Sequence, residues 1–259
     1  MPVPEGLAMS LAYVASGLAL LILAKIAKDI TTPFSIDEEL TARDNRALAL
    51  SISGYYLGVT AIFIGAATGA DIEAATRLEA AAELGGDLAY AIGGIVLLNL
   101  GRWLLDRLVL PRFSTRKEII EDRNIGTGAV EAGAYVATAL VVAGAAHGES
   151  GGAMSTLAFF AAGQVALIAF AKLYDWITPY DLHEEIESDN VAAGVAFGGS
   201  MVAIGVVLLR ATMEPYVGFA ENAGHFLPLI VIGFVALVVA RFVTDRALLP
   251  NSSLSHEIA

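Results

Sequence analysis

Glu131 is the one acidic residue in an apolar run that extends from Ile125 to Ala146. It lies seven residues beyond Asn124, which is about 10 Å along a helix that rises 1.5 Å per residue. A carboxylate at that depth can bind a proton or a cation, because ionisable groups in a membrane face a bundle interior or a hydrated path. It can equally hold helices together as a protonated or hydrogen-bonded side chain. Asn99 and Arg102 stand three apart on one face of the preceding apolar run. Arg102 can pair with Glu131, or it can extend its aliphatic stem and carry its charge to the membrane surface. The second is the simpler reading, and Arg241 repeats it later in the chain. Gln164 is a lone polar residue in a later run, of the kind that bonds across helices. The adjacent pairs Asp106–Arg107 and Asp245–Arg246 fall at the ends of apolar runs and read as interfacial ion pairs, each worth little.

Much other chemistry is excluded or unsupported. With no cysteine there is no disulfide, thiolate metal site or cysteine nucleophile. The histidines, His147, His183, His225 and His256, are scattered without helix-face metal spacing. Asp37-Glu38-Glu39, and Asp181 with Glu184-Glu185, could gather divalent cations through oxygen ligands. A solvated loop face is the simpler reading, so neither a metal nor a cofactor is expected. No phosphate-cradling glycine loop, metalloprotease helix, nucleophile elbow or paired-carboxylate hydrolase site is recognisable, and nothing supports an enzyme. A net charge of -12 argues against a nucleic-acid partner, which favours a basic face.

The elements that must position these groups live in lipid. Of 259 residues 56% are hydrophobic and 16% charged, whereas soluble domains carry roughly a quarter charged residues. Seven runs are long enough to cross a bilayer core of roughly 30 Å: Leu7–Ala27, Ala47–Ala70, Leu84–Leu108, Ile125–Ala146, Ala153–Tyr174, Val191–Ala211 and Phe226–Leu248. The first reads as a retained anchor, since its leader Met1-Pro2-Val3-Pro4-Glu5 carries no positive charge. All but Arg77 and Arg210 of the 15 Lys and Arg residues lie in or beside alternate connections. The positive-inside rule puts those connections in the cytoplasm and the N-terminus outside, as expected for a multi-pass protein of the inner membrane. On the opposite side, Ile72–Leu84 is rich in alanine and glutamate and predicts a solvated surface helix.

The connections repeat. Asp29-Ile30-Thr31-Thr32-Pro33-Phe34, Asp37-Glu38-Glu39-Leu40 and Asp44-Asn45 match Asp175-Trp176-Ile177-Thr178-Pro179-Tyr180, His183-Glu184-Glu185-Ile186 and Asp189-Asn190 with one gap. Arg102 through Pro111 aligns without gaps on Arg241 through Pro250, and Glu118-Ile119 then falls on Glu257-Ile258. Proline just past a span stops that helix, and Asn45, Asn124 and Asn190 stand where they can cap the next one. The predicted fold is therefore all-α, a polytopic bundle of parallel-oriented two-helix repeats. The fourth repeat stops at Ala259, where the second continues into a full span, so an eighth span is expected to be cut off. Gly54, Gly58, Gly65 and Gly69, then Gly126 and Gly133, then Gly194, Gly198 and Gly199, place small residues where helix backbones can approach closely. They read as tight packing of the even-numbered spans; the alternative is room for a permeant solute.

These connections, with the small-residue segments Asn190–Gly199 and Arg123–Gly133, resemble the bacterial inner-membrane proteins grouped as domain of unknown function 350, the YjfL-like family. The resemblance covers nearly the whole chain as two four-helix modules, 1–146 and 147–259, the second incomplete. It implies a fold and, the family's activity being unknown, no catalytic residue. Two functions stand. One is transport of a small solute or ion along the repeat axis, with Glu131 as the buried carboxylate. The other is a non-transporting scaffold or stress-response component whose cytoplasmic loops dock a soluble partner. The bilayer itself and further copies of the chain are the other partners open to it.

Overall fold

A computed structural model of the chain describes residues 5–68, 77–147, 152–244 and 246. Among the described residues the helices are α1 (Glu5–Thr31), α2 (Ile36–Thr41), α3 (Arg46–Ala67), α4 (Arg77–Leu108), α5 (Thr115–Ile120), α6 (Ile125–His147), α7 (Gly152–Ile177), α8 (Leu182–Glu187), α9 (Val191–Thr212) and α10 (Phe219–Val243). Seven of them, all but the short α2, α5 and α8, are long and apolar enough to cross a membrane. Prolines 33, 111 and 179 follow α1, α4 and α7 within a few residues, because proline lacks the amide hydrogen that a further turn needs. From Arg77 on, the expected surface helix is not separate. It is the first part of α4, a single helix of 32 residues, since its alanine, leucine and glutamate favour helix and Gly85-Gly86 do not interrupt it. Residues 72–76 of that stretch lie outside the described residues.

α6 is the axis of the molecule. It packs along α3 on one side and along α9 on the other, more extensively than any other pair of helices pack. The contacts advance in step: Gly54 meets Ala132, Gly58 meets Ala139 and Gly65 meets Ala143. On the other side Gly194 meets Gly126, Gly198 meets Ala129, Gly133 meets Gly198 and Gly205 meets Ala137. The three helices therefore run in one direction, backbone against backbone. A Cβ at Gly133 would enter the Gly198 main chain, so the spacing requires glycine there. α1, α4, α7 and α10 wrap this row, and the outermost two leave large apolar side chains uncovered. Leu11, Val14, Leu18 and Ile22 on α1, and Val231, Ile232, Val235 and Phe242 on α10, are all more than half exposed. Water does not tolerate such continuous stripes; hydrocarbon does.

The short helices complete one repeated device. Each has a side-chain cap at its start, from Ser35, Ser114 or Asp181. Each is followed by a residue in the left-handed region, Asp44 (φ 53°), Arg123 (φ 55°) or Asp189 (φ 59°). That turn delivers Asn45, Asn124 or Asn190 to the start of α3, α6 or α9. The asparagine oxygens accept from the amides of Leu48, Thr127 and Ala193 at 3.0, 2.7 and 3.1 Å. Their amide nitrogens donate to Glu39, Glu118 and Glu185 of their own short helices at 3.2, 3.0 and 2.7 Å. Asn45 donates further to the carbonyl of Ile119, and Asn124 to that of Ile186, so these two caps also fasten their repeats to the next.

Candidate functional site

Just inside this capped end, four long helices turn charged or polar side chains toward one another. α6 contributes Glu131 and Tyr135, α4 contributes Arg102 and Asp106, and α3 contributes Ser51 and Tyr55. Each pair is four residues apart and so lies on one helix face. α1 contributes Lys28 from its last turn. Glu131 is 6% exposed; it accepts from Ser51 Oγ and from Arg102 Nε. Arg102 also places a terminal guanidinium nitrogen 3.2 Å from Asp106, whose carboxylate accepts from Thr115 Oγ1 at 3.2 Å. Lys28, likewise 6% exposed, donates to the Tyr135 hydroxyl and lies 4.7 and 5.0 Å from the ring centres of Tyr135 and Tyr55. Two cations thus face two carboxylates, which is what allows buried charge to persist.

A cavity of about 190 Å³ reaches this cluster from the connections. Its walls are Thr31 to Phe34 at the end of α1, Arg116, Ile119 and Ile120 of α5, Leu48, Ser51 and Ile52 of α3, and Lys28, Arg102 and Glu131. On the far side of Arg102 is a void of about 20 Å³ against Asp106, Phe197 and Met201, about the size that admits one water. Toward the other end of the bundle, Ile62, Ile95, Leu98 and Val142 are all buried and close the way.

Arg102 pairs inward and does not reach for the surface, because Glu131 and Asp106 both stand within its span. The expected Asp106–Arg107 pair is not formed. Consecutive residues diverge on a helix; Asp106 turns in, and Arg107 lies over the Trp103 ring at 4.9 Å. Arg246 lies in the same way over Phe242 at 4.9 Å, and Asp245 is outside the described residues. Asn99 donates to the Ile95 carbonyl on its own helix at 2.8 Å and lies beside Tyr55 of the cluster. Gln164 joins α7 to α6 through Thr138 at 3.5 Å. Lys28, Ser51, Tyr55, Tyr135 and Arg116 were not anticipated as site residues. For Tyr135 the signal was available, one turn beyond Glu131.

Several acidic groups of the connections are engaged by cations. Asp37 meets Lys25 at 3.1 Å, and Glu38 and Glu39 meet Arg43 at 2.9 and 2.8 Å. Asp181 accepts twice from Arg112, at 2.7 and 2.9 Å, and that guanidinium holds its carboxyl below the ordinary aspartate value. Burial beside α6 pushes the Glu118 carboxyl up, against the opposing hydrogen bond from Asn124.

Fold and site together define a polytopic helical membrane protein with a charged cavity at one end of its bundle. Two stretches, residues 2–146 and 149–259, match the family described as Domain of Unknown Function (DUF350), and the chain belongs to that family. It is similar to a UPF0719 transmembrane protein of Aquifex aeolicus (strain VF5), 22% identical over 227 residues that cover 85% of this chain and 80% of that one. No solved structure matches it.

Proposed function

We propose that this protein carries a small solute or ion across the inner membrane, with the Glu131 cavity as its cytoplasmic-side station. The observation that carries the reading is the Arg102–Glu131 ion pair on the wall of a cavity lined by two connections. Charge buried in a membrane is expensive and marks ion paths and proton relays. With the far side closed by Ile62, Ile95, Leu98 and Val142, passage requires the sparsely packed α1 and its neighbour α4 to shift against the glycine-locked row of α3, α6 and α9.

Reconstituted liposomes with a trapped pH-sensitive dye test this. An imposed solute or proton gradient should dissipate faster with protein than without, and Glu131→Gln should slow it several-fold. Equal rates for variant and parent would remove Glu131 from the mechanism. The cation-rich capped end is assigned to the cytoplasm and the N-terminus to the outside; a protease site inserted after Lys117 should then be cut only in inside-out vesicles. The scaffold reading has less support. The repeated connection sequence that motivated it is used in capping, and its apolar residues Ile36, Ile119, Leu182 and Ile186 are buried in the chain's own core and not offered to a partner.

A further inference from the structure

We propose that the cavity beneath the first connection is a binding site for a small oxyanion, a phosphate or carboxylate group held between Lys28, Arg102 and Arg116. The inference deepens the transport reading by naming the class of its ligand, but binding can be tested without flux.

Charge on the cavity wall is unbalanced. Three cations line it, Lys28, Arg102 and Arg116, against a single carboxylate, Glu131. Glu131 is already taken by Arg102 and Ser51, and Asp106 lines the small void on the other side of Arg102. Lys28 is the residue left over. Among the described residues no carboxylate lies within 4.0 Å of its ammonium, whose hydrogen bond goes to the neutral Tyr135 hydroxyl. An ammonium has three N–H donors, and buried charges in proteins are paired or fully hydrogen-bonded. The two tyrosine rings offset part of the desolvation, yet they supply no acceptor for the remaining N–H groups. An oxyanion in the cavity supplies those acceptors, together with a charge opposite Arg116, which is exposed on α5 at the rim and faces its approach.

Size narrows the class. About 190 Å³ holds roughly six waters at ~30 Å³ each and falls below the ~300 Å³ at which pockets for drug-sized molecules begin. A tetrahedral or planar oxyanion with a short substituent fits; a nucleotide does not.

The repeat supplies an internal comparison. The third and fourth units enclose a cavity of about 190 Å³ at the corresponding place, lined by Tyr174, Ala196 and Arg241. By the alignment of the connections these stand where Lys28, Ser51 and Arg102 stand in the first. Of the three cations of the first cavity only Arg102 has a cationic counterpart in sequence, Arg241, since Lys28 aligns with Tyr174 and Arg116 with Ser255; among the described residues Arg241 alone brings a cation to the second wall. The two copies keep the space and differ in charge, so the anion site belongs to the first copy alone.

The oxyanion could come from water or from a phospholipid headgroup. Protein purified in a maltoside detergent, free of lipid and phosphate, distinguishes the two. Inorganic phosphate and, separately, short-chain phosphatidylglycerol are titrated at constant ionic strength with chloride as control, following heat by calorimetry and the melting temperature by circular dichroism. We expect saturable binding of one equivalent, lost in Lys28→Gln, weakened about tenfold in the rim variant Arg116→Gln by removal of one charge-assisted contact, and unchanged in Arg241→Gln. Binding of phosphate assigns the ligand to water; binding of the lipid alone assigns it to the headgroup. No saturable binding of either, or undiminished binding in Arg116→Gln (which alters only an exposed side chain), overturns the proposal. Binding without flux would leave the site standing and remove the transport reading; flux without binding would do the reverse.

Discussion

Asn124 donates its side-chain amide to the carbonyl oxygen of Ile186 at 2.6 Å, across 62 residues of sequence. The same side chain caps α6 by accepting from the Thr127 amide. One residue thus starts the central helix and ties the second repeat to the third. Replacing it with alanine removes a cap, about 1 kcal/mol, and strands a buried carbonyl, about 1–3 kcal/mol more. At roughly 2–4 °C per kcal/mol for a chain of this size, Asn124→Ala should melt about 4–16 °C below the parent in detergent. Asn124→Asp is the sharper test. It keeps the capping oxygen but loses the donor and sets a carboxylate against Glu118, so it should melt no higher than the alanine variant. A parent-like melt for Asn124→Asp would mean that the link to Ile186 contributes nothing.

The close approach of the central helices makes an equally local prediction. A methyl at Gly133 would enter the Gly198 backbone, while one at Gly199, the next residue along α9, meets nothing within 4 Å. Gly133→Ala should therefore destabilise by about 1–3 kcal/mol through overpacking. Gly199→Ala should be neutral or gain up to about 1 kcal/mol from helix propensity. Paired melts settle it, and similar losses in both variants would contradict the packing.

How much of this was legible beforehand depends on whether the signal is local. Span length, cation asymmetry and the matched connections are one-dimensional patterns, so the all-α bundle and its spans could be read directly. Glu131 announced itself by depth alone. Lys28 did not. In sequence it is one more cation near a connection; α1 continues past it to Thr31, and only the packing of α1 on α3 and α4 turns that face toward Tyr135. Ser51 is a small polar residue of a kind common in spans, and nothing local distinguishes it. Arg102 could reach the surface or reach Glu131, and that choice is decided by a residue on another helix. The six-residue helices α2, α5 and α8 are too short to show a period, so they read as loops, although Ser35, Ser114 and Asp181 were cap signals in plain view.

At the capped end, acid should loosen one contact between connections. Arg112 holds the Asp181 carboxyl below its ordinary value. A carboxylate with a depressed folded pKa contributes stability that is fully present above its unfolded value, near 3.9, and is lost as pH falls through the lower folded value. Asp181→Asn keeps a capping oxygen for the His183 and Glu184 amides and removes the charge together with one of the two oxygens that accept from Arg112. Its melting temperature should lie slightly below the parent's at pH 6, and the gap should narrow as pH falls past the unfolded value near 3.9 toward the lower folded one. The gap at pH 6 should shrink in high salt, because both partners are exposed. A gap that persists unchanged at pH 2.5 would assign it to something other than this ion pair.

The network around Arg102 and Glu131 should show its coupling in a double-mutant cycle. Glu131→Gln leaves Lys28 and Arg102 sharing Asp106, an excess of positive charge. Arg102→Gln leaves Glu131 and Asp106 facing Lys28, an excess of negative charge. Each should destabilise by about 3–5 kcal/mol, the usual effect of breaking a buried pair from one side. The double variant removes one charge of each sign and leaves Lys28 and Asp106 balanced. It should therefore lose less than the sum of the singles, with an interaction energy toward the upper part of the roughly 0.5–3 kcal/mol seen for contacting residues. Unfolding in detergent, followed by circular dichroism for the parent and the three variants, gives the term directly. Strict additivity would mean that the two side chains act independently, and the cavity wall would then be a set of separate charges with no shared network to gate.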